Sequence, residues 1–236
     1  MAEARKRGGA ARLLARDDLD TPLVGWKPTS QGEGGLFNPR GFAMLRIVMQ
    51  RESDAGTLRD LYDQPVIVES PGAIVVCQAG SKVGLVESYR MVGERILEAG
   101  MDYIARLDAD GRWDELLLSL GEWKWELPRG IAPGEGKSLE EIVVSSARME
   151  ALSEAGFRLD DVKIVGRINP DYTFFPHPQY AVHGRIVGVE DQNPEELEII
   201  GRTRLFYSQE IRQMVDAGDF DDGIGLAALA CAGFSF

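Results

Sequence analysis

The sequence predicts a layered α/β fold with a mixed β-sheet, preceded by an N-terminal extension. Two observations carry this expectation. Segments with strand character outnumber helical ones, and the strongest helical segment, Ser138–Ala155, stands mid-chain with strands on both sides. No internal repeat is visible. With 236 residues, 44% of them hydrophobic, the chain can build a full-sized core in one large domain or in a domain with an extension.

Residues 1–20 mix basic, small and then acidic residues and read as a mobile arm ending in a short helix at Ala10–Arg16. Pro22, Pro28, Pro39 and the glycines of 32–35 mark a linker or wrapping loop. Gly41–Gln50 is apolar enough for a strand, Asp54–Asp63 reads as a short helix or turn, and Val66–Glu69 as a strand. The β-branched run Ala73–Gln78, a turn at 79–82 and Val83–Arg90 form a hairpin. Glu94–Ala99 and Arg112–Leu120 have helical spacing, and Trp123–Leu127 reads as a short strand.

Ser138 begins the central helix as an N-cap, with Glu141 three residues on to complete a capping box. Ile142, Ala147, Ala151 and Leu152 define its apolar side, and Gly156 stops it. Val162–Ile168, Tyr180–Val189 and Glu198–Tyr207 read as strands, separated by a Pro-rich aromatic loop (169–179) and an acidic loop (190–196). Ser208 caps a helix at Gln209–Ala217, and Asp221 or Asp222 precedes a last apolar helix at Ile224–Ala232.

The formal net charge of −12 excludes nucleic acid as the main partner, because a phosphate backbone needs a basic surface. It does not exclude a small phosphate ester, whose charge a bound metal can offset. No apolar run approaches the roughly 20 residues of a membrane span. The basic start, Met1–Arg7, is followed by too short an apolar stretch for a secretion signal. Cys77 and Cys231 lie in apolar runs and read as buried thiols, so a reducing cytoplasm is the expected setting. His177 and His183 are too few for a zinc site.

Chemistry concentrates in Leu127–Phe157. A Pro/Gly loop leads into the helix, which places Glu150 and Glu154 four residues apart and so on one face. Stacked carboxylates after a glycine-rich loop suit a divalent metal with a phosphorylated ligand. The competing reading is the solvated face of an amphipathic helix. Arg90 and Arg129 suit bidentate contact with phosphate oxygens, or ordinary ion pairs. Tyr172, Phe174 and Phe175 suit stacking on a nucleobase, or packing. Glu190, Asp191, Glu195 and Glu196 form a second acidic group in a loop that can equally be a plain solvated surface.

These residues resemble the Nudix hydrolase superfamily, and most of all its ADP-ribose/ADP-sugar pyrophosphatase branch. The C-terminal half of the family box, R-E-U-x-E-E-x-G-U with U aliphatic, falls on Met149-Glu150-Ala151-Leu152-Ser153-Glu154-Ala155-Gly156-Phe157. The hairpin ending in Ser88-Tyr89-Arg90, the run Trp125-Glu126-Leu127-Pro128-Arg129-Gly130 and the apolar tail resemble that branch in the same order, over about residues 62–233. Departures are Met149 for the box arginine, Ser153 for a box glutamate, a longer spacing from Glu135 to the helix, and an insertion at about 95–121.

The resemblance implies a Nudix-like α/β/α sandwich over 61–236, with 1–60 as an extension and dimerisation arm. It implies hydrolysis of a nucleoside diphosphate-linked substrate such as an ADP-sugar with Mg2+ or Mn2+. Glu150 and Glu154 would be metal ligands, with a backbone carbonyl of the 130–134 loop, such as that of Gly134, as a third contact. A glutamate of the acidic loop, Glu195 or Glu196, would be the general base, and the protein a homodimer. The neutral Ser153 raises the alternative of a nucleotide-binding protein that has lost hydrolysis.

Overall fold

The computed structural model describes residues 9–13, 37–38, 42–52, 57–69, 72–90, 106, 109–111, 121–131, 138–175, 177–195 and 198–235. They fall into two units, one formed by 1–70 with 169–178 and the other by 71–168 with 179–236. The predicted helix at Glu94–Ala99, most of the 95–121 insertion, Gly134 and Glu196 lie outside the described residues.

The first unit holds a four-stranded antiparallel sheet of β1 (Gly9–Leu13), β2 (Phe37–Asn38), β3 (Phe42–Glu52) and β4 (Leu58–Glu69). β4 pairs along the whole of β3, while β1 lies opposite Leu45–Met49 and β2 opposite Phe42–Ala43. Two sequence expectations are corrected here. Ala10–Leu13 is strand rather than helix, and Leu58–Asp63 belongs to β4 rather than to a helix or turn. In both places the hydrogen-bonded partner on β3 decides the conformation, and local propensity gives way to it. The loop 169–178 joins this unit through the Ile67 N–H, which donates to the Phe174 carbonyl at 2.7 Å. Asp171 shapes that loop by accepting the Phe174 N–H at 2.8 Å.

The second unit is built on a seven-stranded mixed sheet. Its strands are β5 (Gly72–Ala79), β6 (Lys82–Arg90), β7 (Glu122–Glu126), β8 (Arg129–Ile131), β9 (Phe157–Ile168), β10 (Gln179–Val189) and β11 (Ile200–Tyr207). The β5–β6 hairpin forms as expected, and β5 also pairs parallel with β10 and antiparallel with the short β8. The β-branched run of β5 is thus a central strand, and alternation splits its side chains between two cores.

On one face Ala73, Val75 and Cys77 pack with Val143, Ala147 and Ala151 of helix α1 (Leu139–Ser153). On the other, Ile74 and Val76 pack with Ile211 of α2 (Ser208–Ala217) and Ala228 and Leu229 of α3 (Gly223–Cys231). Full burial of each Val, Leu or Ile contributes about 1.5–3 kcal/mol, so the two faces hold the sandwich together. Architecture and sheet type agree with the predicted α/β/α sandwich.

α1 begins with the capping box read from the sequence: Ser138 Oγ accepts the Glu141 N–H, and the Glu141 carboxylate accepts the Ser138 N–H at 2.9 Å. Its buried stripe is Ile142, Val143, Ser146, Ala147, Glu150 and Ala151. Leu152, expected on the apolar side, is exposed because it falls outside that 3.6-residue stripe. Gly156 ends the turn at φ 69°, a left-handed conformation that suits glycine. α3 is capped by Asp222, and α2 starts at Ser208 with Tyr207 as its N-cap. Cys77 is buried as expected, which pushes its thiol pKa up; Cys231, expected to be buried, is exposed, because it lies off the helix face that buries Ala228 and Leu229. No helix among the described residues is long and apolar enough to cross a membrane.

Candidate metal centre

The buried stripe of α1 places a carboxylate where a core helix would hold an apolar side chain. Glu150 is only 6% exposed and Glu154, one turn on, only 2%. This overturns the solvated-face reading. Burying an ionised carboxylate is costly unless something compensates it. Part of the compensation is the Arg129 backbone N–H, which donates to Glu154 Oε2 at 2.9 Å. Glu150 lies against Gly130, where an added Cβ would sit 2.1 Å from Glu150 Oε1. Glycine is required here for close approach. Ser146, one turn earlier on α1, holds the same short strand by donating to the Gly130 carbonyl at 3.2 Å.

A third carboxylate completes the group. Glu198, half-buried at the end of the acidic loop, offers an oxygen that lies with those of Glu150 and Glu154 within 4.8 Å of one another. Its carboxylate accepts the Glu195 N–H at 3.0 Å, and the Glu195 carbonyl accepts the Glu198 N–H at 2.9 Å. Sequence reading missed Glu198, which it placed at the start of a strand. The signal available was one more acidic residue just beyond the 190–196 run.

The electrostatics are those of crowded like charges. Burial, with Glu198 and Glu195 beside it, pushes Glu150 up from 4.5 to about 7. Burial raises Glu154 to about 8, reinforced by Glu150, Glu198 and Glu126 against the opposing hydrogen bond from Arg129. Three converging carboxylate oxygens form an all-oxygen donor set, the kind that hard divalent ions such as Mg2+ and Mn2+ prefer. The residues present therefore fit such an ion.

A network of arginines borders the cluster. Glu126 is buried at 2% exposure on β7 and serves two guanidinium groups at once. Arg90 Nε donates to Glu126 Oε2 at 3.1 Å, with a second contact from Arg90 Nη2 to Oε1. Arg129 Nη2 donates to the same Oε2 at 2.8 Å, and Arg129 Nη1 reaches Asp222 Oδ2 at 3.2 Å. For Arg129, burial works against the charge, but Glu126, Asp222 and Glu154 outweigh it and the pKa rises. The two predicted phosphate-binding arginines are thus held together by an acid the sequence reading gave no role. Arg129 joins the cluster through its backbone and this network through its side chain.

Of the other expected site residues, Glu195 is exposed and close enough to Glu150 to influence its titration. Glu190 is exposed and contacts Arg158. Tyr172, Phe174 and Phe175 belong to the first unit, where Tyr172 is 89% exposed and receives a hydrogen bond from Asn169. Met149, at the box arginine position, is exposed, and the neighbouring Arg148 donates to the Leu159 carbonyl of β9. His183 Nε2 is hydrogen-bonded to Gln78 Oε1 at 2.6 Å.

The sheet order and the helices on both faces make an α/β/α sandwich that carries the carboxylates on α1. The chain is similar in structure to a protein described as an ADP compounds hydrolase, with a TM-score of 0.58 and 12% sequence identity over 99% of this chain and 95% of that one. At that identity the likeness is one of fold. A weaker likeness, at a TM-score of 0.44 and 16% identity over 71% of this chain and 91% of the other, is to a NUDIX hydrolase from Nitrosomonas europaea. No family model matches the sequence, and no curated protein does.

Proposed function

We propose that this protein hydrolyses a nucleoside diphosphate-linked substrate of the ADP-sugar kind with Mg2+ or Mn2+. The observation that carries the reading is the convergence of buried Glu150 and Glu154 with half-buried Glu198, set on a fold shared with an ADP compounds hydrolase. These three would hold the ion, with a carbonyl of the 130–134 loop, such as that of Gly134, as a further contact. When bound, the ion supplies charge neutralisation for a pyrophosphate and acidifies a water.

The chain's own residues have two tasks. Arg90 and Arg129, oriented by Glu126, direct N–H groups at phosphate oxygens. Glu195 or Glu196 takes the proton of the attacking water. The water oxygen bonds to phosphorus as the anhydride P–O bond breaks, giving a nucleoside monophosphate and a sugar phosphate.

With ADP-ribose and millimolar Mg2+ or Mn2+, release of AMP is expected, and none when EDTA replaces the metal. A second reading, nucleotide binding without hydrolysis, is favoured by Ser153 in place of a box glutamate and by the solvent-facing Met149. A purified protein that binds one nucleotide sugar of a panel yet turns over none would establish that reading instead. The homodimer implied by the family resemblance, with the 1–60 extension as its arm, belongs to the same proposal. A dimer mass is expected by light scattering at micromolar concentration, and a monomer would sink that part.

A further inference from the structure

The acidic loop is fastened to the end of α1 at three points. The Glu190 N–H donates to the Gly156 carbonyl at 2.8 Å, and the Asn193 N–H to the Ser153 carbonyl at 2.9 Å. Gln192 Nε2 donates to the Glu154 carbonyl, and it contacts Thr203 Oγ1 of β11 at 3.0 Å. Beyond this point the Tyr89 N–H donates to the Ile199 carbonyl at 2.9 Å, so the chain is pinned again just past Glu198. Gly156 permits the approach, since a Cβ there would lie 2.3 Å from the Glu190 carbonyl oxygen.

Glu198 is brought to two carboxylates that repel it, so something must hold the loop in place before any cation arrives. Among these fastenings, Gln192 supplies the side-chain links. It joins the residue that carries one carboxylate of the trio, Glu154, to the strand that follows the third. It also satisfies a carbonyl at the C-terminal end of α1, where four carbonyls lack helical partners.

We propose that Gln192 is a positioning residue for the metal centre: its amide clamps loop 190–198 to the end of α1 and so fixes Glu198 against Glu150 and Glu154. The inference rests on the reading of the trio as a metal site. The clamp itself does not, and the two can be tested apart. Gln192→Met keeps the length and bulk of the side chain without its donor, while Gln192→Ala removes both.

Two measurements are needed on the full chain. Amide hydrogen exchange of 190–198 in EDTA reads the clamp without metal, and Mn2+ titration by calorimetry reads its consequence. Both variants are expected to exchange faster in this loop, with the core strands unchanged, and to bind Mn2+ roughly 10–100-fold more weakly, the scale of a lost outer-shell partner. Unchanged loop exchange in Gln192→Met overturns the clamp. Faster exchange with unchanged Mn2+ affinity overturns the positioning role. If the unaltered protein binds no Mn2+ but the exchange difference holds, the metal reading fails and the clamp stands.

Discussion

Glu154→Gln is expected to impair metal-supported hydrolysis strongly while making the metal-free protein more stable at alkaline pH. Glutamine keeps the oxygen that accepts the Arg129 N–H, so the local hydrogen bond survives. What it removes is the charge that burial and the neighbouring carboxylates disfavour. Loss of one preorganised charged group at the reacting centre should lower turnover by roughly 10²–10³-fold.

The stability effect has a defined sign. Folded Glu154 titrates near 8 and Glu150 near 7, against an ordinary 4.5. Between those values the folded protein binds more protons than the unfolded chain, so metal-free stability falls as pH rises from about 5 to about 8. Thermal denaturation in EDTA should therefore show a midpoint that declines over that range, and less steeply in Glu154→Gln. At pH 8 the variant should melt higher by about 3 °C or more, and at pH 5 at nearly the same temperature. Mg2+ or Mn2+ should raise the midpoint of the unaltered protein most at high pH, because binding displaces protons. A variant that melts lower at every pH would show that the charge is already compensated within the protein.

Gly130→Ala is the second substitution with a large expected effect, and it separates chemistry from folding. The added methyl would fall 2.1 Å from Glu150 Oε1 and 2.3 Å from its Cδ. Those atoms end a flexible side chain, so the carboxylate can swing aside while the β5–β8 pairing stays intact. Mn2+ affinity and turnover should each fall roughly 10–100-fold, as when a ligand loses its fixed orientation. The metal-free melting midpoint should shift by only about 2–4 °C. Collapse of the midpoint with no folded fraction left would mean that the β8–α1 contact is a fold determinant, and the separation would fail.

α1 was legible because everything that specifies it is local: the Ser138–Glu141 box, a 3.6-residue stripe and a terminating glycine. Glu150 and Glu154 were legible for the same reason, since spacing alone puts them on one face. Glu198 was hidden, because only the loop's attachment to the helix end carries it to that face. Glu126 stood inside a motif already noticed, yet its role as a shared acid depends on β6, β7 and β8 meeting across the sheet. β1 and the first half of β4 failed to show as strands because their partner on β3, rather than their own composition, decides their state. β8 is three residues long, too short to leave any periodic signal.

Asp222 gives the site a place in the order of folding. It caps α3 through the Ile224 N–H and at the same time takes a guanidinium nitrogen of Arg129. The last helix among the described elements is therefore joined to the strand whose backbone N–H holds Glu154. Glu150 and Glu154 come from mid-chain, Glu198 from between β10 and β11, and the Arg129 anchor from the start of α3. Contacts so distant in sequence form late, after long loops have closed. A nascent chain that has made α1 but not α3 carries the acidic helix without its neighbours. Ion capture would then accompany completion of the sandwich rather than guide it.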